Sequence, residues 1–164
     1  MSIIDKIKNS VTEATGLPFY YDTPQTLNLR LDRATYPCAM LHILQSGAVT
    51  DTNGILRERL TVEMLFATTS HLDFDGADVE ANELDGLKRH AFKWLMRMLR
   101  SRDLRLVSIN GTNRYYATDD AIYSAFGVNV TFDELQGYSK CDADEEPEPE
   151  PENPDTPEDE TQET

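Results

Sequence analysis

Leu56-Arg57-Glu58-Arg59-Leu60-Thr61-Val62-Glu63-Met64-Leu65-Phe66 is the stretch whose pattern decides the fold class. Leu56, Leu60, Val62, Met64 and Phe66 fall on one side, and Arg57, Arg59, Thr61 and Glu63 on the other. Alternate residues of a strand point to opposite faces of the pleat. A period of two over this length therefore predicts a half-buried antiparallel strand, dry on one face and wet on the other.

Upstream, Cys38 to Gln45 is an apolar run of strand length behind Tyr36-Pro37, and Ser46 to Gly54 carries turn residues, among them Asp51 and Asn53-Gly54. The two runs predict a long hairpin, or two strands bridged by a mobile tip. Earlier still, Ile3, Ile4, Ile7, Val11 and Ala14 recur at helical spacing over residues 2–15. Ser2 with Asp5 has the form of a capping box, and Gly16 supplies a left-handed stop. Pro18 to Asp22 is a brief strand. The alternation of Leu27, Leu29 and Leu31 suits a strand, and Pro24 equally suits the opening of a helical turn.

Downstream, residues 77–101 predict the longest helix, with a core stripe of Leu84, Leu87, Ala91, Leu95 and Met98. Asp78, Glu80, Glu83 and Asp85 crowd its start, and Lys88, Arg89, Lys93, Arg97, Arg100 and Arg102 populate its later turns. That order complements the helix dipole without any binding partner. Gly86 is a local weakness or a close-packing position. Leu104, Leu106 and Ile109 begin further sheet, turned at Asn110-Gly111, and Arg114 to Ala117 with Ala121 to Phe132 complete it. Gly111 and Gly127 have the look of turn and bulge glycines. Strand runs separated by helices predict an α+β fold: an antiparallel sheet with helices packed on one face.

Charge divides the chain differently. The sequence has fifteen Lys and Arg against thirty Asp and Glu, a formal charge of −15. Residues 141–164 hold twelve of the acids, five prolines and no base, so residues 1–140 are left at −3. The expected division is one α+β domain over 1–140 and a disordered acidic Pro/Glu-rich tail over 141–164. The tail suits a solubilising bristle, and it also suits a binding module or inhibitor that engages a basic partner.

No motif predicts catalysis, a cofactor or a metal. Around His71-Leu72-Asp73-Phe74-Asp75-Gly76-Ala77-Asp78, setting Gly76 at the sixth position of a calcium loop puts His71 first and Asn82 twelfth, where a bidentate Glu belongs. His42, His71 and His90 sit on separate elements, and neither Ser46 nor Ser70 has a nucleophile-elbow motif. Arg97, Arg100, Arg102 and Arg105 are close together, but a slightly acidic domain is a poor reader of nucleic acid, so no specific nucleic acid is expected. Cys38 and Cys141 have no zinc or redox spacing, which points to a reducing cytoplasm. No apolar run approaches about 18 residues, so no membrane span is expected.

The outline has a familiar order. A short amphipathic helix, then Thr15-Gly16-Leu17-Pro18-Phe19-Tyr20-Tyr21, leads to Tyr36-Pro37-Cys38-Ala39-Met40-Leu41. A long hairpin ending in Glu63-Met64-Leu65-Phe66, a long helix, and Arg114-Tyr115-Tyr116 before a final strand follow. Over residues 2–133 this resembles the tail terminator or tail completion proteins of long-tailed bacteriophages and related integrated elements. The resemblance implies a non-enzymatic structural protein of the virion, in the neck region of the tail and assembled in the bacterial host cytoplasm. It implies a homo-oligomeric ring, a hexamer, capping the tail tube protein and facing the head–tail connector protein. Loop position adds candidate docking residues at the hairpin tip, Gly47, Val49, Asp51, Asn53 and Gly54, and candidate neighbour contacts in the 70–77 loop, His71, Asp73 and Asp75.

Overall fold

The computed structural model describes residues 2–21, 34–52, 55–70, 76–116 and 123–134. The Leu27–Leu31 alternation, the Asn53-Gly54 tip, the 71–75 stretch and the acidic tail lie outside these residues.

α1 (Ile3–Thr15) begins and ends on local chemistry. The Asp5 backbone N–H donates to Ser2 Oγ at 3.2 Å, and the Ser2 backbone N–H donates to Asp5 Oδ2 at 3.2 Å. The shorter Asp thus closes the capping box in place of Glu. Gly16, at φ 71°, turns the chain left-handed and donates to Thr12 O at 2.9 Å. β1 (Phe19–Tyr21) follows at once.

β2 (Cys38–Thr52) and β3 (Ile55–Thr69) form the long hairpin, and β4 (Leu104–Tyr115) and β5 (Tyr123–Glu134) close the sheet in the order β1-β2-β3-β5-β4. The fold is α+β as expected, but the sheet is mixed. β1 pairs parallel to β2, from Phe19↔Ala39 to Tyr21↔Leu41, while every other pairing is antiparallel. Hydrophobic alternation carries no information about strand direction, and residues 22–37 leave room for the crossover that a parallel pair requires.

Two expected turns are bulges. β2 continues through Ser46 to Thr52, with register shifts between Ile43, Gln45 and Ala48 and with Gly47 at φ 69°. β4 likewise runs through Asn110-Gly111, with register shifts between Leu106 and Ser108 and between Ile109 and Gly111, and with Gly111 at φ 152°. A bulge asks for the same small residues at positive φ as a turn, so composition alone does not separate the two.

From Gly76 to Met98 the chain is helical without a break. α2 (Gly76–Val79) widens into a π turn (Glu80–Leu84) and narrows again into α3 (Asp85–Met98). The helix ends three residues short of the expected limit, where Arg100 and Ser101 donate to Arg97 O and Met98 O at 3.1 Å. α1 and α3 cover the face bearing Leu60, Val62, Met64 and Phe66 of β3 and Phe126, Val128, Val130 and Phe132 of β5.

The whole expected stripe from Leu84 to Met98 is buried, and Trp94 joins it at the centre. The Trp94 ring meets Phe66 at 6.1 Å and Phe132 edge-on at 6.0 Å. Its Nε1 donates to Ser10 Oγ at 3.0 Å, and that hydroxyl donates to Ile7 O at 2.6 Å.

Gly86 is exposed, and a Cβ there meets nothing within 4 Å, which removes the close-packing reading. Gly86→Ala therefore raises stability by about 0.5–1 kcal/mol, mainly by restricting the unfolded chain. A urea midpoint that stays put or falls would show that the backbone beside the π turn needs glycine.

Candidate interaction surfaces

β3 pairs with β5 only from Arg59↔Asp133 to Thr69↔Tyr123. Beyond Arg59, among the described residues, Ile55 to Glu58 are held by β2 alone, through Val49↔Glu58, Thr50↔Arg57, Asp51↔Leu56 and Thr52↔Ile55. The hairpin thus overhangs the sheet as a two-stranded arm. Two strands alone are marginal in water, and this arm exposes Val49 by 67% and Leu56 by 50%.

Of the expected docking residues, Gly47 sits at the bulge where the arm begins, and Val49 and Asp51 are exposed along it. Asn53 and Gly54, and the whole second group of His71, Asp73 and Asp75, fall outside the described residues. Ser70 leaves β3 at the end away from the arm.

The sheet face turned away from the helices holds a ladder of polar bonds. Arg59 grips Asp133 with two hydrogen bonds, Nε to Oδ1 at 2.6 Å and a guanidinium N–H to Oδ2 at 2.9 Å. These bonds, more than the surrounding positive charge, hold the Asp133 carboxyl below its usual range. Thr61 and Thr131 hydroxyls meet at 3.0 Å, and Asn110 Nδ2 donates to Thr131 Oγ1 at 3.0 Å.

Next in the ladder is Glu63, a carboxylate only 5% exposed. Its Oε1 accepts from Asn113 Nδ2 and from Tyr115 OH, both at 2.7 Å. His42 Nδ1 approaches Oε2 at 3.8 Å. Gly127 makes the space, because a Cβ at that position would lie 2.7 Å from Glu63 Oε1 and 3.0 Å from Leu65 Cδ2. Gly127 is thus a close-approach glycine and not a bulge. Nearer the Cys38 end, the same face is dry: Cys38, Met40, Ala67 and Ala125 are buried with Tyr20, Tyr36 and Tyr123 packed against them.

The outer side of α3 is mixed in a different way. Phe92, Met96 and Leu99 are exposed at helical spacing among Arg89, Lys93, Arg97 and Arg100. Phe92 and Met96, with the four bases, border a groove of about 610 Å³ that reaches Ala14 of α1. Arg97 pairs with Glu13 across the two helices. Arg105 is not part of this surface: it pairs in register with Asp133 on β5, and its charge acts on that carboxyl. The four arginines from 97 to 105 therefore do not form one patch.

A second groove of about 430 Å³ lies beside the π turn, among Pro37, Thr69, Asn82, Glu83, Leu87 and His90. Ser70 Oγ donates to the Glu83 carboxylate at 2.9 Å, and Ser124 Oγ donates to Ser70 Oγ at 3.2 Å. His90 Nδ1 is buried without a partner, and burial, then the charge of Lys93, lowers its pKa. Ser70 thus spends its proton on a carboxylate that ties β3 to the π turn, and the imidazole nitrogen is not bonded to it. Among the described residues no group of three His, Cys, Asp or Glu is placed to hold a metal ion, and no helix is long and apolar enough to cross a membrane.

Trp94, the Glu63–Gly127 contact and the Phe92-Met96-Leu99 stripe are what the sequence reading lacks. Trp94 carries a signal, three residues after Ala91 on the same stripe. Glu63 carries none, because its burial depends on a glycine of another strand. No family model matches the chain, and no curated protein matches it significantly.

Two outcomes follow from this face. Gly127→Ala pushes on the Glu63 carboxylate and lowers stability by about 1–3 kcal/mol, the range for disturbing buried hydrogen-bonding groups; unchanged denaturant midpoints would mean that Glu63 is not held. Burial first, and then donation to Glu63, push the Tyr115 phenol up to about 12 from 10.0. The folded chain holds that proton more tightly than the unfolded one, so the contribution is whole below pH 10 and lost between 10 and about 12. Tyr115→Phe flattens that alkaline loss in denaturation curves, and an equally steep loss would place its origin elsewhere.

Proposed function

We propose that the chain is a structural subunit of a phage tail that closes as a ring, a hexamer, on the end of the tail tube and presents a surface to the head–tail connector. The work is capping by surface complementarity, and no bond is made or broken. The observation that carries the reading is the overhanging β2–β3 arm with its exposed Val49 and Leu56.

A projecting arm is an asymmetric contact element. Whatever receives it is a different surface from the arm itself, and repeated contacts of that kind between copies close into rings or grow into filaments. β4 offers the sheet's long edge, twelve residues with Val107 and Ile109 exposed, and its two register shifts blunt it against indiscriminate strand addition. The opposite end of β3, at Thr69, leaves room for contacts with a second partner away from the arm.

Light scattering and negative-stain imaging of the full chain test this. The expected result is a pore-containing particle of six 18.6-kDa chains, or, if the chain stays smaller in solution, capped ends when purified tail tubes are added. Removing residues 141–164 leaves capping intact under this reading. Val49→Asp with Leu56→Asp keeps the monomer folded and abolishes capping. Bare tube ends with the unaltered chain would overturn the assignment.

A further inference from the structure

The exposed side of the arm has a specific composition. Val49 pairs directly with Glu58, and Asp51 with Leu56. Direct partners and alternate residues share a face, so these four side chains stand together as two apolar groups and two carboxylates. All four are exposed.

The groove between α1 and α3 has the complementary make-up. Phe92 and Met96 supply exposed apolar surface, 44% and 51% exposed respectively. Arg89, Lys93 and Arg100 surround them and make no ion pair among the described residues. Macrodipole complementarity accounts for bases in the last turn of a helix. It accounts neither for Arg89 and Lys93 in the middle of α3 nor for bare Phe92 and Met96 between them.

We infer that the arm of one copy of the chain seats in the α1–α3 groove of a second copy. Val49 and Leu56 cover Phe92 and Met96, and Asp51 and Glu58 meet Arg89, Lys93 and Arg100. The inference rests on the self-assembly proposed above and names the surface that performs it. The occupant is a second copy because the apolar and acidic groups the groove calls for are present, at strand spacing, on an exposed part of the same chain. Apolar contact between the two surfaces supplies affinity, and the charges around it set which faces meet.

The test uses the full-length chain. Val49→Cys and Met96→Cys are made separately, each with Cys141→Ser, leaving only the buried Cys38 besides the introduced thiol. Mixing the two and oxidising mildly is expected to link Cys of one variant to Cys of the other, whereas Val49→Cys mixed with Thr112→Cys gives no such product. In parallel, Glu58→Lys and Lys93→Glu are each expected to weaken self-association by at least about tenfold in sedimentation, and their mixture to recover it, as close charge pairs do across interfaces. Assembly that persists with neither link nor recovery overturns this interface and leaves the ring reading standing. Links and recovery in a two-copy particle uphold the interface and sink the ring. A chain that stays monomeric at every concentration, with no link, overturns the interface.

Discussion

The packing of Trp94 is the constraint on which the rest of the molecule depends. Its indole lies against Phe66 of β3 and Phe132 of β5, and its one polar atom finds Ser10 on α1. One side chain therefore fixes α3 on the two central strands and α1 beside α3. A buried indole N–H without a partner would be costly, and Ser10 satisfies it while bonding back to its own helix. Lys6 of α1 reaches Glu134 at the end of β5 at 2.5 Å, which pins the outer end of the same layer.

With one face of the sheet sealed in this way, the other face is free to be polar, yet it is not simply surface. Glu63 is as hidden there as many core residues, because the missing side chain at Gly127 lets it lie flat and Tyr115 and Asn113 close over it. The carboxylate links β3 to β4 across β5, a strand that contributes only backbone at that point. Two steps nearer the arm on the same face, Arg59–Asp133 ties β3 to β5. The sheet is thus stiffened on its open face just where the hairpin leaves it, and a stiff root is what lets a two-stranded arm project.

The molecule's exposed apolar groups then fall at separate places. The arm and the α3 groove each mix them with charges, of opposite sign. Surfaces that differ and lie apart suit contacts that pass from copy to copy. The π-turn groove ties Ser70 to Glu83 and not to His90.

Periodicity made most of this fold legible. Alternation in Leu60 to Phe66 and the three-and-four spacing from Leu84 to Met98 each report which side of a single element is dry, and the Ser2–Asp5 box and Gly16 report where a helix starts and stops. These are local properties, written within a few residues. What stayed hidden was set by partners far along the chain: the parallel pairing of β1, the use of Gly47 and Gly111 as bulges instead of turns, the burial of Glu63 under Gly127, and the overhang of Val49 and Leu56 past the end of β5. The sequence by itself determined the elements and their buried sides, because side-chain period follows from backbone geometry alone. Only the tertiary structure decided which strand ends outrun their neighbours and which charges share a face, because register between strands depends on the packing of the whole sheet.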